Sequence, residues 1–367
     1  MVTKKSLNLD KDTNKMLAYI HIPFCESKCP YCAFNSYASK DELKHAYMNA
    51  LLAQLQHDTK RFNLQAKSIE SVFIGGGTPS TVEASLYAPL FDFLSFYLHA
   101  DAEITSEANP SSGTKKWLLG MKELGVNRIS FGVQSFQENK LKFLGRNHSK
   151  NMAIEAIESA FDIGINNLSL DLIYGTSVDN LALLAKDLSL AASLPINHLS
   201  AYALTLEKGT PFYRKNNVIN PSEKLAKAFV SKIIEAGFFQ YEISNFAKTY
   251  QSVHNKGYWQ QKAYIGIGSG AVGFYENQRF YPHKEVEAYI KNPLFYTSES
   301  LLKEELHLEK IFLGLRSNVG IPIGEFSDKE RGKIHLLLDE NKLHQKGELI
   351  FNNDYFLSDE IALFITD

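Results

Sequence analysis

Three cysteines lie within eight positions of this chain, and they are the only cysteines it has: Cys25, Cys29 and Cys32. Thiolates are soft ligands that suit iron–sulfur clusters or zinc. Structural zinc sites take four ligands, often from paired C-x2-C motifs. An iron–sulfur cubane held by three thiolates instead leaves one iron open for a chelating molecule. The C-x3-C-x2-C spacing therefore favours a cluster, and a zinc site completed by a histidine stays the alternative.

Other residues suited to ligand binding follow predicted strands. Gly75-Gly76-Gly77-Thr78 comes directly after a β-rich run, and glycines let a backbone approach a ligand without an obstructing Cβ. Glu107, Gln134 and Asp171 come at or near the ends of later strands. The carboxyl ends of parallel strands share one edge, which predicts that these side chains meet there. Structural roles are the alternatives, such as a plain glycine turn or an acidic residue near a helix start.

Short strands alternate with helical patterns through the first two thirds of the chain. The strand windows are 17–22, 71–74, 102–106, 127–131, 167–172 and 198–203. The helical windows are 40–57, 81–98, 114–124, 151–162, 180–192 and 222–237. Such β/α units predict a parallel α/β sheet with right-handed crossovers. The pattern alone does not separate an open doubly wound sheet from a partly closed barrel.

The alternation of strand and helix patterns ends after about residue 240. A glycine-rich stretch covers 265–270, helical windows cover 301–315 and 323–338, and 347–365 has the pattern of a short strand pair. We therefore predict four parts: a polar N-terminal tail (1–16), a β/α domain (17–240), a connecting segment (241–300) and a small α-rich, winged-helix-like domain (301–367).

Composition narrows the classes of partner and location. Hydrophobic residues make up 44% and charged residues 22% of the 367 positions, and the net charge is −2. That balance gives no sign of a nucleic-acid partner. No apolar run is long enough to be a signal peptide or a membrane span, which predicts a cytoplasmic protein. Peripheral membrane contact stays open.

The segment Tyr19-Ile-His-Ile-Pro-Phe-Cys25, with its cysteine spacing, resembles the radical S-adenosylmethionine (SAM) superfamily. Within it, the chain resembles the oxygen-independent coproporphyrinogen III oxidase-like family and that family's haem chaperone (HemW) group. The resemblance implies a partial (β/α)6 TIM-like barrel in which the three cysteines hold a [4Fe–4S] cluster and SAM binds the open iron. It also implies SAM contacts at Tyr19, Tyr31, Gly76, Gly77, Thr78, Glu107, Gln134, Arg146, Asp171 and Ala203.

Two further positions concern the choice within that family. The oxidases carry a fourth cysteine two positions after the third, where this chain has Phe34, so the resemblance to a true oxidase is weaker. The segment His254-Asn255-Lys-Gly-Tyr258-Trp259 resembles the HNxxYW motif of the haem chaperone group, and imidazole is a common haem ligand. A structural role in capping and packing is the alternative for His254.

The resemblance implies haem or a porphyrin as cargo, and a haemoprotein as its acceptor. The alternatives are oxidative decarboxylation of coproporphyrinogen III and, from another class, a zinc-stabilised binding module. Whether the chain is an enzyme stays open.

Overall fold

The computed structural model describes residues 15–367. The predicted N-terminal tail lies outside the described residues except for its last two positions. The strands are β1 (Met16–Ile22), β2 (Phe24–Cys25), β3 (Tyr37–Ala38), β4 (Ile69–Gly76), β5 (Leu98–Ala108), β6 (Arg128–Gln134), β7 (Asn167–Tyr174), β8 (His198–Ala203), β9 (Phe239–Gln240), β10 (Asn245–Ala247), β11 (Tyr264–Ile267), β12 (Gly273–Tyr275), β13 (Gln278–Pro282), β14 (Tyr296–Ser300), β15 (Ile321–Pro322), β16 (Leu343–Lys346) and β17 (Leu349–Asn352).

The α-helices are α1 (Lys44–Arg61), α2 (Ala88–Leu94), α3 (Lys115–Glu123), α4 (Glu138–Phe143), α5 (Lys150–Asp162), α6 (Leu181–Ser193), α7 (Glu223–Glu235), α8 (Val253–Trp259), α9 (Val286–Lys291), α10 (Lys303–Leu315), α11 (Asp328–Asp339) and α12 (Ser358–Thr366). All six predicted strand windows are confirmed, and five of the six helical windows contain one long helix each. In the window 81–98 the chain instead forms short 3-10 turns and the seven-residue α2. Pro89 is tolerated in the first turn of α2 but would disrupt a helix that continued into it from residue 81.

A sheet of twelve strands organises most of the chain. Its centre is parallel and runs in the order β11-β1-β4-β5-β6-β7-β8. Helices cover the apolar side of these strands, and one large hydrophobic core joins them. Pairing within the described residues leaves β14 and β9 as the two edges, so the curved sheet is a partial barrel and not a closed one. All carboxyl ends of the parallel strands lie along one rim.

Residues 241–300 extend this sheet on both sides. β11 pairs in parallel with β1, and β12, β13 and β14 continue outward as antiparallel strands. β10 pairs antiparallel with β8 at the opposite flank. Gly266 in β11 and the glycines that follow the strand hide its character from sequence periodicity, although Ile265 and Ile267 are fully buried in the main core.

The C-terminal residues pack around an apolar core of their own, which includes Ile311, Ile334 and Ile361. The strand pair that we expected at 347–365 is wrong in its second half. The hairpin joins β16 to β17 around Gly347, whereas Ser358–Thr366 form the helix α12. Ile361, Ala362 and Ile365 are buried at helical spacing, which explains the helix. Between residues 15 and 367 no helix is both long and apolar enough to cross a membrane.

Gly266 in β11 gives a direct test of how closely this added strand packs. A Cβ built on Gly266 would lie 2.2 Å from the backbone oxygen of Val272, an atom that cannot move without displacing the chain. We therefore expect Gly266→Ala to lower the free energy of unfolding by about 1–3 kcal/mol. Gly332 in α11 is the matched control, since a Cβ there meets nothing within 4 Å.

Gly332→Ala should raise stability by about 0.5–1 kcal/mol, because alanine is the better helix former. Thermal unfolding followed by circular dichroism measures both variants. Equal midpoints for the two variants would contradict the packing described for β11.

Candidate functional site

The cysteine loop leaves the carboxyl end of β1 and returns at β3. β2 and β3 pair in parallel and fix the two ends of this loop. Within it, the Cys32 backbone N–H donates to the Cys29 oxygen at 3.1 Å and closes a tight turn. All three cysteines are free thiols and half-buried. The Thr78 hydroxyl lies 3.5 Å from the Cys25 sulfur, and Nη1 of Arg146 lies 3.5 Å from the Cys29 sulfur.

Asn35, at the far end of the loop, ties it to the sheet. Its side-chain amide donates to the backbone oxygens of Ser269 at 2.9 Å and Lys284 at 2.8 Å. Its own backbone oxygen accepts a bond from Nε2 of His21 at 2.8 Å. A carbonyl can only accept, so Nε2 carries the proton, and Nδ1 accepts from the Tyr19 hydroxyl at 2.9 Å. Tyr19 therefore supports the loop through its hydrogen bond to His21 and does not line the cavity.

The glycine turn after β4 packs directly on this loop. Gly76 has a φ of +115°, and a Cβ there would lie 2.3 Å from the His21 ring. A Cβ on Gly77 would lie 2.8 Å from the Phe24 backbone oxygen. The backbone N–H groups of Gly77 and Thr78 donate to the oxygens of Ile22 and Phe24. Only glycine permits this close approach, so the turn and the cysteine loop form one unit.

A cavity of about 1110 Å³ opens at the rim of the parallel strands. All three cysteines line it. Nine of the ten predicted SAM contacts line it as well: Tyr31, Gly76, Gly77, Thr78, Glu107, Gln134, Arg146, Asp171 and Ala203. The structure thus brings together residues that are up to 178 positions apart between Cys25 and Ala203. Tyr19 and His254 are the two predicted residues outside this wall.

Two carboxyl groups lie at the floor of the cavity. Burial raises the pKa of Glu107 to about 8, with the nearby charge of Asp171 adding to the effect. Its Oε2 accepts the Gly76 backbone N–H at 3.0 Å. Burial also raises the pKa of Asp171, to about 6, against the opposing hydrogen bonds from Ser200 and Ser130. Glu107 is therefore largely protonated at neutral pH, and a cationic ligand would favour its charged form.

Arg146 supplies the positive charge beside the cysteines. Its Nη2 donates to Oδ1 of Asn109 at 2.6 Å and to the Gly132 oxygen at 2.7 Å. Its buried Nε has no partner among the described residues. A buried donor without a partner is rare in proteins and is satisfied when a ligand or water supplies an acceptor.

The donor set fits a [4Fe–4S] cluster better than a zinc ion. Among residues 15–367 no three His, Cys, Asp or Glu side chains gather as ligands of one metal ion. A single zinc requires that convergence, whereas the thiolates of a cubane each bind a different iron. Three free thiols around a cavity, a glycine turn without Cβ atoms and an unpaired arginine N–H suit a cluster with a polar chelating ligand.

His254 lies at the other end of the barrel. It is 1% exposed, and its Nδ1 hydrogen-bonds to the Ser71 hydroxyl at 2.8 Å. Ser71 precedes Gly76 by five residues on β4, which puts it about 16 Å from the cavity rim. Burial, with the charge of Arg128 contributing, lowers the pKa of His254 to about 3, so the ring is neutral. Sequence reasoning missed Glu103, whose carboxylate accepts the backbone N–H groups of Val253 and His254 and holds α8 in place.

Glu107→Gln tests the protonation of the cavity floor in protein without SAM. The pKa of Glu107 in the fold, about 8, lies above its usual 4.5, so the folded state holds the proton more tightly. The resulting stabilisation is complete below pH 4.5 and is lost as the pH rises through 8. Glutamine mimics the protonated form at every pH. Relative to wild type, the variant should gain about 1 kcal/mol or more in stability between pH 5 and pH 8.5.

Thermal unfolding midpoints at a series of pH values measure this difference. Asp171 titrates in both proteins, so the difference between them reports the ionisation of Glu107 together with its interaction with the Asp171 charge. A difference that stays constant from pH 5 to pH 8.5 would show that Glu107 ionises normally.

Comparisons with known proteins agree with this geometry. Residues 19–191 match the family model of the radical SAM superfamily. The chain is 36% identical over 332 residues to heme chaperone HemW of Bacillus subtilis, a match that covers 85% of this chain and 86% of that protein. It is 42% identical over 262 residues to heme chaperone HemW of Escherichia coli, covering 70% and 69% of the two chains.

Among solved structures, coproporphyrinogen III oxidase (HemN) from Escherichia coli superimposes with a TM-score of 0.81 at 19% identity, over 96% of this chain and 90% of that one. This likeness establishes the shared fold. The sequence matches, together with the cysteine loop and the cavity beside it, show that the chain belongs to the HemW family of radical SAM proteins.

Proposed function

We propose that this protein is a haem chaperone, which binds haem at the cavity and passes it to an acceptor haemoprotein in the cytoplasm. The observation that carries the proposal is the extent of the cavity. It continues from the cysteine loop, past the strand ends, to the C-terminal residues Tyr355 and Phe356. The part near the cysteines has the polar residues that suit SAM. The part beyond them has apolar and aromatic side chains on its wall.

The outer part of the cavity is bounded by α7, the turn between β9 and β10, and the start of α12. Its wall includes the apolar and aromatic side chains of Ile219, Leu225, Ile243, Tyr355 and Phe356. Apolar and aromatic side chains make up most of the lining of sites that bind small organic ligands and cofactors. These features support haem as the ligand of the outer part.

The charges on the wall favour haem over coproporphyrinogen III. Among residues 15–367, the Lys and Arg residues on the wall are Lys28 and Arg146, and both lie beside the cysteine loop. The charged residues farther out on the wall are acidic: Glu207, Glu223, Asp359 and Glu360. Lys227 and Arg316 pair with Glu223 and Asp359, so two of these charges are balanced. Coproporphyrinogen III carries more propionates than haem and would meet more repulsion from the remaining acids.

Phe34 gives a second reason to favour the chaperone over the oxidase. Its side chain is 69% exposed and lines the cavity at the position where the oxidases have a cysteine. No thiol is then left beside the three that would hold the cluster. Turnover of coproporphyrinogen III by anaerobic, reduced protein would favour the oxidase instead.

We propose that Cys25, Cys29 and Cys32 hold a [4Fe–4S] cluster and that SAM binds beside it. When bound, the cluster and SAM supply one-electron chemistry. Glu107 would pair with the amino group of SAM and give up its proton on binding. Arg146 would direct its unpaired Nε–H toward the ligand. The Gly76 backbone N–H, which bonds Oε2 of Glu107, would hold that carboxyl group beside it.

The haem site is tested with a pair of matched isoleucines. Ile243 lines the outer cavity and is 39% exposed, whereas Ile234 on α7 is 48% exposed and lies outside the wall. Ile243→Asp places a charge against an apolar ligand and should weaken haem binding about tenfold or more, while Ile234→Asp should leave it unchanged. Titration with haem, followed by the Soret band, measures both affinities.

His254→Ala completes the experiment, since that residue is the haem ligand suggested by the sequence. Binding within the cavity predicts the same haem affinity in this variant as in wild type. Loss of binding in His254→Ala, together with normal binding in Ile243→Asp, would place haem at α8 and contradict the cavity site.

A further inference from the structure

Gln134, a cavity residue, has a backbone conformation that its neighbours must impose. Its φ is +68°, in the left-handed region that costs free energy for any residue other than glycine. It also ends a β-bulge: Phe131 pairs with Leu170 and Gln134 with Leu172, so β6 has one residue more than β7 between these pairs. Bulges of this kind redirect side chains beside functional sites. The bulge directs Gln134 into the cavity.

The group that holds this turn comes from a different element. Asp187 lies on the buried face of α6 and is 2% exposed. Its Oδ2 accepts the Ser135 hydroxyl at 2.6 Å, and its Oδ1 accepts the Phe136 backbone N–H at 3.0 Å and the Gln137 side-chain amide at 3.1 Å. The three donors are consecutive residues, and they begin immediately after Gln134.

The Ser135 hydroxyl makes this network continuous. Besides donating to Asp187, its Oγ accepts the Gln137 backbone N–H at 3.0 Å. The Ser135 backbone N–H donates to the Val133 oxygen at 2.8 Å across Gln134. A buried carboxylate is stable only when its oxygens are hydrogen-bonded, so the turn and Asp187 depend on each other. Releasing the turn would let Gln134 relax out of the left-handed region.

We propose that Asp187 is a positioning residue for SAM binding, acting through Gln134. It touches neither the cysteines nor the wall of the cavity, and its effect is to keep the β6 bulge in the conformation that presents the Gln134 side chain. The inference rests on the proposed SAM site. It assigns to the α6 carboxylate a contribution to cofactor affinity that a purely structural residue would not make.

A double-mutant cycle tests the proposal on full-length, cluster-reconstituted protein. The affinity for SAM is measured by anaerobic equilibrium dialysis without reductant. Asp187→Ala should weaken SAM binding about tenfold. Gln134→Gly removes the side chain and tolerates a positive φ. In that background the further loss caused by Asp187→Ala should fall to less than about twofold, because nothing is left to position.

Conservative and control variants separate positioning from general damage. Asp187→Asn keeps one carbonyl oxygen for the Phe136 and Gln137 donors and should restore most of the affinity. Ser135→Ala removes the hydroxyl that bonds Asp187 but keeps the Asp187 side chain, and it should weaken SAM binding by about threefold or more. This variant tests the proposal if Asp187→Ala does not fold. Ser193→Ala, on the exposed end of α6, should bind SAM as wild type does.

The outcomes are distinct. Wild-type protein that fails to bind SAM would overturn the proposed cofactor site itself. If wild-type protein binds SAM but Asp187→Ala costs the same affinity in both backgrounds, the cofactor site stands and the role of Asp187 is overturned. The same conclusion follows if neither Asp187→Ala nor Ser135→Ala weakens SAM binding.

Discussion

The attachment of the cysteine loop to the parallel sheet is the constraint on which the rest of this structure depends. In the proposed function, three cysteine sulfurs must be held apart and open to a cavity without a fourth protein ligand to define their positions. The loop therefore takes its shape from outside itself. Asn35 bonds to the backbone of Ser269 and Lys284, and Gly270 leaves room for its amide, since a Cβ there would lie 2.8 Å from it. The residues after β11 thus act as a part of the cysteine site.

Residues 241–300 therefore have a structural role in supporting the cysteine loop. β11 completes the parallel sheet next to β1, and the loop that follows it meets both Asn35 and Tyr47 of α1. The Tyr47 hydroxyl donates to the His21 oxygen at 2.9 Å and accepts the Ser269 backbone N–H at 2.8 Å. The cysteine loop is therefore held by β1, the first parallel strand along the chain, together with the residues that follow β11, the last one. On the cavity side, the strand ends bring Glu107 and Asp171 near each other, and burial raises the pKa of both carboxyl groups.

Much of the site was predictable because its chemistry is local in sequence. The C-x3-C-x2-C spacing and the glycine turn are read from neighbouring residues, and parallel topology then brings Glu107, Gln134 and Asp171 to one rim. The supporting contacts are not local. Asn35 meets Lys284 across 249 positions, and Ser135 meets Asp187 across 52, and neither pair has a pattern in the sequence. His254 differs from these residues. Its motif can be recognised in the sequence, but its burial behind β4 follows from the fold alone.

The central claim is that three cysteines hold a cluster with one iron left for SAM. Electron paramagnetic resonance of the reduced, reconstituted protein, recorded with and without SAM, tests this most directly. Ligation of an open iron predicts the signal of a reduced [4Fe–4S] cluster whose g-values shift when SAM is added. Protein that lacks iron and sulfide, or a cluster whose spectrum ignores SAM, would contradict the account.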